Sequence, residues 1–123
     1  MALEQLVRKL NKNTPVTFSL QLPDNQPRVS SKTAFELYSI CLELVNNILK
    51  HAQATEASIK FNVENEKLQL TVMDNGKGIS GNSVSGQGTR NIDERVKSLK
   101  GQWGIKSKED NGVENEIIIS LIQ

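Results

Sequence analysis

Between Leu37 and Val72 the apolar period of this chain changes once, and that change fixes the class of fold it can adopt. Leu37, Ile40, Cys41, Leu44, Val45 and Ile48 recur at i, i+3, i+4 and i+7, which makes one stripe along a helix. Ile59, Phe61 and Val63, and then Leu68, Leu70 and Val72, alternate with polar residues instead. That is the pattern of two half-buried strands, and the polar Glu64-Asn65-Glu66 between them predicts a hairpin. A helix with one apolar stripe and strands with one apolar face bury both by stacking. The expectation is an α+β two-layer sandwich, a mixed and largely antiparallel sheet covered on one face by helices.

The flanking segments extend this plan. Thr33 and Glu36 have capping-box spacing at the start of the main helix. Upstream, Leu3, Leu6, Val7 and Leu10 form a short amphipathic segment, which reads as the tail of a connection to a further segment. Pro15 ends it, and Val16, Phe18, Leu20 and Leu22 then alternate as a strand closed by Pro23-Asp24-Asn25. Downstream, a second helix is expected after Gly88 through Ile92, Val96 and Leu99, with Gly101 just beyond its end. Strands are expected at Trp103 to Ser107 and Glu116 to Gln123, with Asp110-Asn111-Gly112 turning between them. Residues 1–123 make one domain, since a chain of 123 residues with 37% hydrophobic content has room for one moderate core.

Charge and cysteine content exclude several classes. The formal net charge of +1 lacks the basic excess of a nucleic-acid surface, so no direct nucleic-acid partner is expected. Cys41, the only cysteine, falls in the apolar stripe and reads as a buried free thiol suited to a reducing cytoplasm. No apolar run approaches the ~18 residues that span a bilayer, and Met1-Ala2-Leu3-Glu4 lacks a secretory pattern. No membrane contact by this domain is expected, and the placement is cytoplasmic, including as the cytoplasmic part of a longer membrane-bound protein.

Three segments carry chemistry. Asp74-Asn75-Gly76-Lys77-Gly78-Ile79 puts a carboxylate at a strand end, followed by glycines that let a ligand approach the backbone. This is the floor expected of a nucleotide pocket. Glu43, Asn47 and Lys50 stand four and three residues apart, so on a helix they share the face opposite the stripe and can meet a metal and phosphates. Gly86-Gln87-Gly88-Thr89 precedes the second helix, where amides and the helix dipole favour phosphate. Ser80 to Ser85, small and polar, reads as a lid. His51, the only histidine, sits in the last turn of the main helix, where an imidazole bonds terminal carbonyls, and a structural role is expected.

Together, Glu43-Leu44-Val45-Asn46-Asn47-Ile48-Leu49-Lys50-His51-Ala52, the Asp74 segment and the glycine pair running into Arg90-Asn91-Ile92-Asp93-Glu94-Arg95 resemble the GHKL, or Bergerat-fold, ATPase domain. The resemblance covers Thr33 to about Ser107. It is closest to the catalytic ATP-binding domain of sensor histidine kinases of the nitrate-sensing and lipid-fluidity-sensing type. It implies ATP and Mg²⁺ as cofactors. Asn47 rather than the neighbouring Asn46 becomes the metal ligand, and Mg²⁺, completed by waters and phosphate oxygens, needs little more from the protein. Glu43 takes the position that orients or deprotonates a nucleophile, and Lys50 adds charge near the phosphates. Asp74 accepts from the adenine amine, which excludes guanine. Gly76, Gly78 and Ile79 lie under the base, while Gly86, Gly88 and Thr89 lie along the phosphates.

The implied activity is transfer of the γ-phosphoryl group to a histidine on separate dimerisation helices of the parent kinase, for onward passage to a response regulator. Two alternatives are an anti-sigma-factor serine kinase of the same superfamily and a nucleotide- or partner-binding module without turnover. One stretch departs from the family. A Gly-Thr whose threonine supports the adenine contact usually precedes the closing strand, and here the sequence is Gly112-Val113-Glu114-Asn115. Asn115 can hydrogen-bond through its side chain and Val113 cannot, so the register decides what supports the base.

Overall fold

In chain order the elements are α1 (Ala2–Asn13), β1 (Thr17–Gln21), α2 (Ser31–Asn47) continued by a π-helical turn (Ile48–Ala52), β2 (Glu56–Glu64), β3 (Lys67–Asp74), α3 (Gln87–Ser98), β4 (Gln102–Ser107) and β5 (Val113–Ser120). The computed structural model describes residues 2–24, 27–76, 87–107 and 112–121, without the side chains of 2, 51, 52, 87–89 and 107. The strands form one sheet in the order β1-β2-β3-β5-β4. β1 runs parallel to β2, and the remaining pairs are antiparallel. The mixed sheet and helical layer are those the periodicity predicts.

The core lies where the two periodicities meet. Ile40, Cys41, Leu44 and Val45 of α2 are buried against Ile59, Leu70, Val72 and Ile117 of the sheet, with Ile92 and Val96 of α3 in the same cluster. Because strand side chains alternate, Leu68, Leu70 and Val72 put Asp74 on this same helix-covered face, at the end of β3. Ile117 and Ile119 likewise put Asn115 and Val113 on it in β5.

Several local expectations shift. α2 starts at Ser31 with Ser30 as its cap, the Ser30 hydroxyl accepting from the Thr33 amide at 3.1 Å, so the capping box at Thr33 and Glu36 does not form. Glu36 instead accepts from Arg95 Nη1 of α3 at 2.9 Å, and the Arg95 guanidinium lies 5.7 Å from the centre of the Phe35 ring. α3 begins at Gln87, one residue before Gly88, which therefore lies in its first turn. β5 begins at Val113, three residues before the predicted Glu116. At the end of α3 the left-handed residue is Lys100 at φ 55°, and the Gly101 amide donates to Val96 O at 2.9 Å in a Schellman arrangement. Gly101 is required for packing: a Cβ there would lie 2.8 Å from Ile119 Cγ2 and 2.9 Å from Ile118 O.

The opening segment is part of the core, with Leu3, Val7 and Leu10 of α1 buried. α1 also closes the outer edge of β1. Asn11 Nδ2 donates to Phe18 O at 2.9 Å, and Phe18 N donates to Asn11 Oδ1 at 2.6 Å, which replaces the ladder bonds that an edge strand leaves open. The β2–β3 hairpin turns through Asn65 at φ 53° and Glu66 at φ 62°, the paired positive angles of a type I′ turn. Among the described residues no helix is long and apolar enough to cross a membrane.

Cys41 is fully buried, and burial pushes its thiol up to about 12 from 9.0. The native state keeps the proton that the unfolded chain releases above pH 9. Stability is therefore expected to fall by about 1.4 kcal/mol per pH unit once the pH passes 9. Below that pH, alkylation of Cys41 should proceed only at the rate of global opening, and rapid labelling of the native protein would contradict this placement.

Candidate functional site

Glu43 and Asn47 lie one turn apart on α2, both half-buried at the margin of the apolar stripe. Neither side chain hydrogen-bonds to another described residue. On one helix face and without a partner among the described residues, a carboxylate and an amide oxygen are hard donors suited to a small divalent cation that takes most of its ligands from water and phosphate. Among the described residues no three His, Cys, Asp or Glu side chains gather to hold a metal unaided.

The backbone widens into the π-helical turn immediately after Asn47, and Gln53 at φ 53° ends it. Lys50 lies within this turn, and its side chain is exposed. Single π turns concentrate at functional sites, and this one follows directly on the candidate metal ligand. His51 lies within it.

The Asp74 carboxylate is the most closely held group of the site. Gly76 N donates to Asp74 Oδ1 at 2.8 Å, and Gly76 itself is buried. Partial burial raises the carboxyl above its ordinary value, while backbone hydrogen bonds from Gly76 and Val113 act in the opposite direction. Asn75 fixes the exit from β3. Its Oδ1 accepts from the Thr55 and Glu56 amides at 2.9 and 3.0 Å, its Nδ2 donates to Thr55 Oγ1 at 3.0 Å, and its own amide donates to Glu56 O at 3.1 Å. The chain leaving Asp74 is thereby tied to the start of β2.

The closing strand answers the question of register. Val72 pairs with Asn115 and Met73 with Glu114, which carries Val113 to the level of Asp74. Val113 therefore stands at the threonine position, and Asn115 is occupied elsewhere, accepting from Trp103 Nε1 at 3.0 Å. Sequence reasoning did not find the part played by Asn75, because its contribution runs through backbone atoms and a loop partner distant in sequence. Gly88 and Thr89 lie in the first turn of α3, where free amides face outward along the helix axis. The Thr89 side chain falls outside the described residues, as do Gly78, Ile79, Gly86 and the Ser80 to Ser85 lid.

Comparison with known proteins matches this geometry to a family. Residues 33–121 match the model of the histidine kinase-, DNA gyrase B- and HSP90-like ATPase domain. The chain is similar to the nitrate/nitrite sensor protein NarX of Escherichia coli, with 33% identity over 111 residues, 88% of this chain and 18% of that protein. It is similar to the sensor histidine kinase LiaS of Bacillus subtilis, with 26% identity over 121 residues, 97% of this chain and 33% of that protein. The chain thus spans a third or less of the length of either relative. Its fold is that of the histidine kinase domain of a blue-light-activated kinase from Erythrobacter litoralis, at a TM-score of 0.83 and 21% identity, covering 97% of this chain and 59% of that one. With the family model spanning the α2 face, the Asp74 strand and the closing strand alike, the chain belongs to the histidine kinase-, DNA gyrase B- and HSP90-like ATPase family.

Proposed function

We propose that this chain is the Mg-ATP-binding catalytic domain of a two-component sensor histidine kinase. It passes the γ-phosphoryl group to a histidine on separate dimerisation helices, from which a response regulator receives it. The observation that carries the reading is Asp74, an acceptor held by backbone amides at a strand end on the helix-covered face. An acceptor so fixed pairs with the amino group of adenine and opposes the carbonyl of guanine. Asn47 would hold Mg²⁺ together with phosphate oxygens, and Glu43 would orient the incoming imidazole. Lys50, exposed on the π-helical turn, would reach the phosphates from outside. The metal supplies charge neutralisation when bound, and the rest of the work is positioning. Gly76, Gly78 and Ile79 would lie under the base, with Gly86, Gly88 and Thr89 along the phosphates. LiaS is a sensor histidine kinase, which favours histidine over serine as acceptor, and we place the domain in the cytoplasm.

Labelled ATP supplied to this domain together with the dimerisation helices of its parent chain should yield acid-labile phosphate on those helices and none on His51. Acid-stable phosphate on a serine-bearing partner would instead establish the serine-kinase alternative. Asp74→Asn should weaken ATP binding by ~1.5 to 3 kcal/mol, the scale of a hydrogen bond to a charged group. Titration calorimetry showing equal affinity for ATP and GTP in the unaltered protein would remove the adenine role.

A further inference from the structure

We infer that Gly112 and the backbone amide of Val113 form the positioning element for the Asp74 carboxylate, so that base recognition here rests on main chain where the family usually adds a threonine hydroxyl. The inference deepens the proposed nucleotide function and rests on it. Gly112 has φ +83°, which L side chains rarely adopt. A Cβ at this position would overlap the Asp74 carbonyl oxygen and lie 2.8 Å from its carbon and 3.1 Å from Asn75 Cα. All three are backbone atoms, which no rotamer change can move. Only glycine lets the start of β5 lie against the end of β3 at this point.

That approach has a chemical result. It brings the start of β5, and with it the Val113 amide, to the level of the Asp74 carboxylate, whose Oδ1 accepts from Gly76 N at 2.8 Å two residues along its own chain. Asn75, hydrogen-bonded to Thr55 and Glu56, holds the segment from the third side. The acceptor is aimed before the base arrives, and none of these contacts needs a hydroxyl at position 113. An amide donor in a strand keeps its direction without loss of rotamer freedom, whereas a threonine hydroxyl has to be oriented.

The test compares Mg-ATP and Mg-GTP affinities by calorimetry for the unaltered chain, Asp74→Asn, Gly112→Ala and Gly112→Asn, and for a semisynthetic chain with an ester in place of the Gly112–Val113 amide. Gly112→Ala and Gly112→Asn should each lose about tenfold or more in ATP affinity, with GTP affinity changing less, so that base selectivity collapses. General destabilisation would lower both affinities together and leave the ratio unchanged. Asparagine tolerates positive φ better than alanine, so recovery of selectivity in Gly112→Asn alone would overturn the close-approach argument. The ester removes one donor and adds no atom to collide. It should reproduce the loss of selectivity, and it decides the matter if the Gly112 variants do not fold. ATP affinity and selectivity within twofold of the unaltered chain in the ester, or in a folded Gly112→Ala, would overturn the inference while leaving the nucleotide site intact. No ATP preference in the unaltered chain, or no effect of Asp74→Asn, would overturn both readings.

Discussion

Replacing Glu43 by glutamine should lower phosphoryl transfer to the dimerisation helices by on the order of a hundredfold or more, the scale of a lost acid–base or orienting group. Mg-ATP affinity should change by only a few-fold. The split follows from the proposed roles. Glu43 and Asn47 share one face of α2, and in that proposal the amide oxygen goes to the metal and the carboxylate to the nucleophile. Glutamine keeps the size and one acceptor of the side chain and removes its charge and basicity. Asn47→Asp should show the opposite signature, a changed Mg²⁺ dependence of nucleotide binding, because a charged ligand replaces a neutral one. Parallel loss of binding and transfer in Glu43→Gln would mean that Glu43 is itself a metal or phosphate group and that the orienting role lies elsewhere.

The largest structural loss is expected from Leu70→Ala. Leu70 is fully buried in β3, which is hydrogen-bonded on both sides, to β2 and to β5. Truncation removes its transfer free energy and leaves a cavity between a sheet and a helix that cannot readily collapse. The cost should be about 3 to 5 kcal/mol, a large share of the ~5 to 15 kcal/mol that holds such a domain folded. The melting temperature should fall by on the order of 10 °C. Ile105→Ala is the informative comparison, since Ile105 is 38% exposed on the edge strand β4 and should cost less than about 1 kcal/mol. Equal losses at the two positions in a denaturant titration would contradict the assignment of the core to the interface between the α2–α3 layer and the sheet.

The two-layer plan was legible because it rests on periodicity. The stripe from Leu37 to Ile48 and the alternation in β2 and β3 are each visible along one stretch of chain, and burial follows both. Element ends were less legible. Ser30, Thr33 and Glu36 all have capping chemistry; Ser30 takes the cap, while Glu36 pairs with Arg95 from 59 residues away, a partner that local sequence does not show. The site divides in the same manner. Asp74, Glu43 and Asn47 were proposed from residue type and spacing, with the family resemblance choosing Asn47 over Asn46 and giving Glu43 its role. Gly112 and Val113 act through a steric void and an amide, properties that every glycine and almost every residue possess, and only the register of β5 on β3 gives them meaning. The π-helical turn left no signal in the spacing, because the same letters would serve an α-helix.

Asn11 also bears on how such domains associate. A filament that grows by adding strand to strand needs two receptive flanks on every unit, one to join and one to be joined. Here the flank beside β1 is already occupied at Phe18 by a side chain of the same molecule, donor to acceptor and acceptor to donor. Among the described residues the β4 flank has no such cover, and edge-to-edge addition through that flank alone would join two molecules and not propagate.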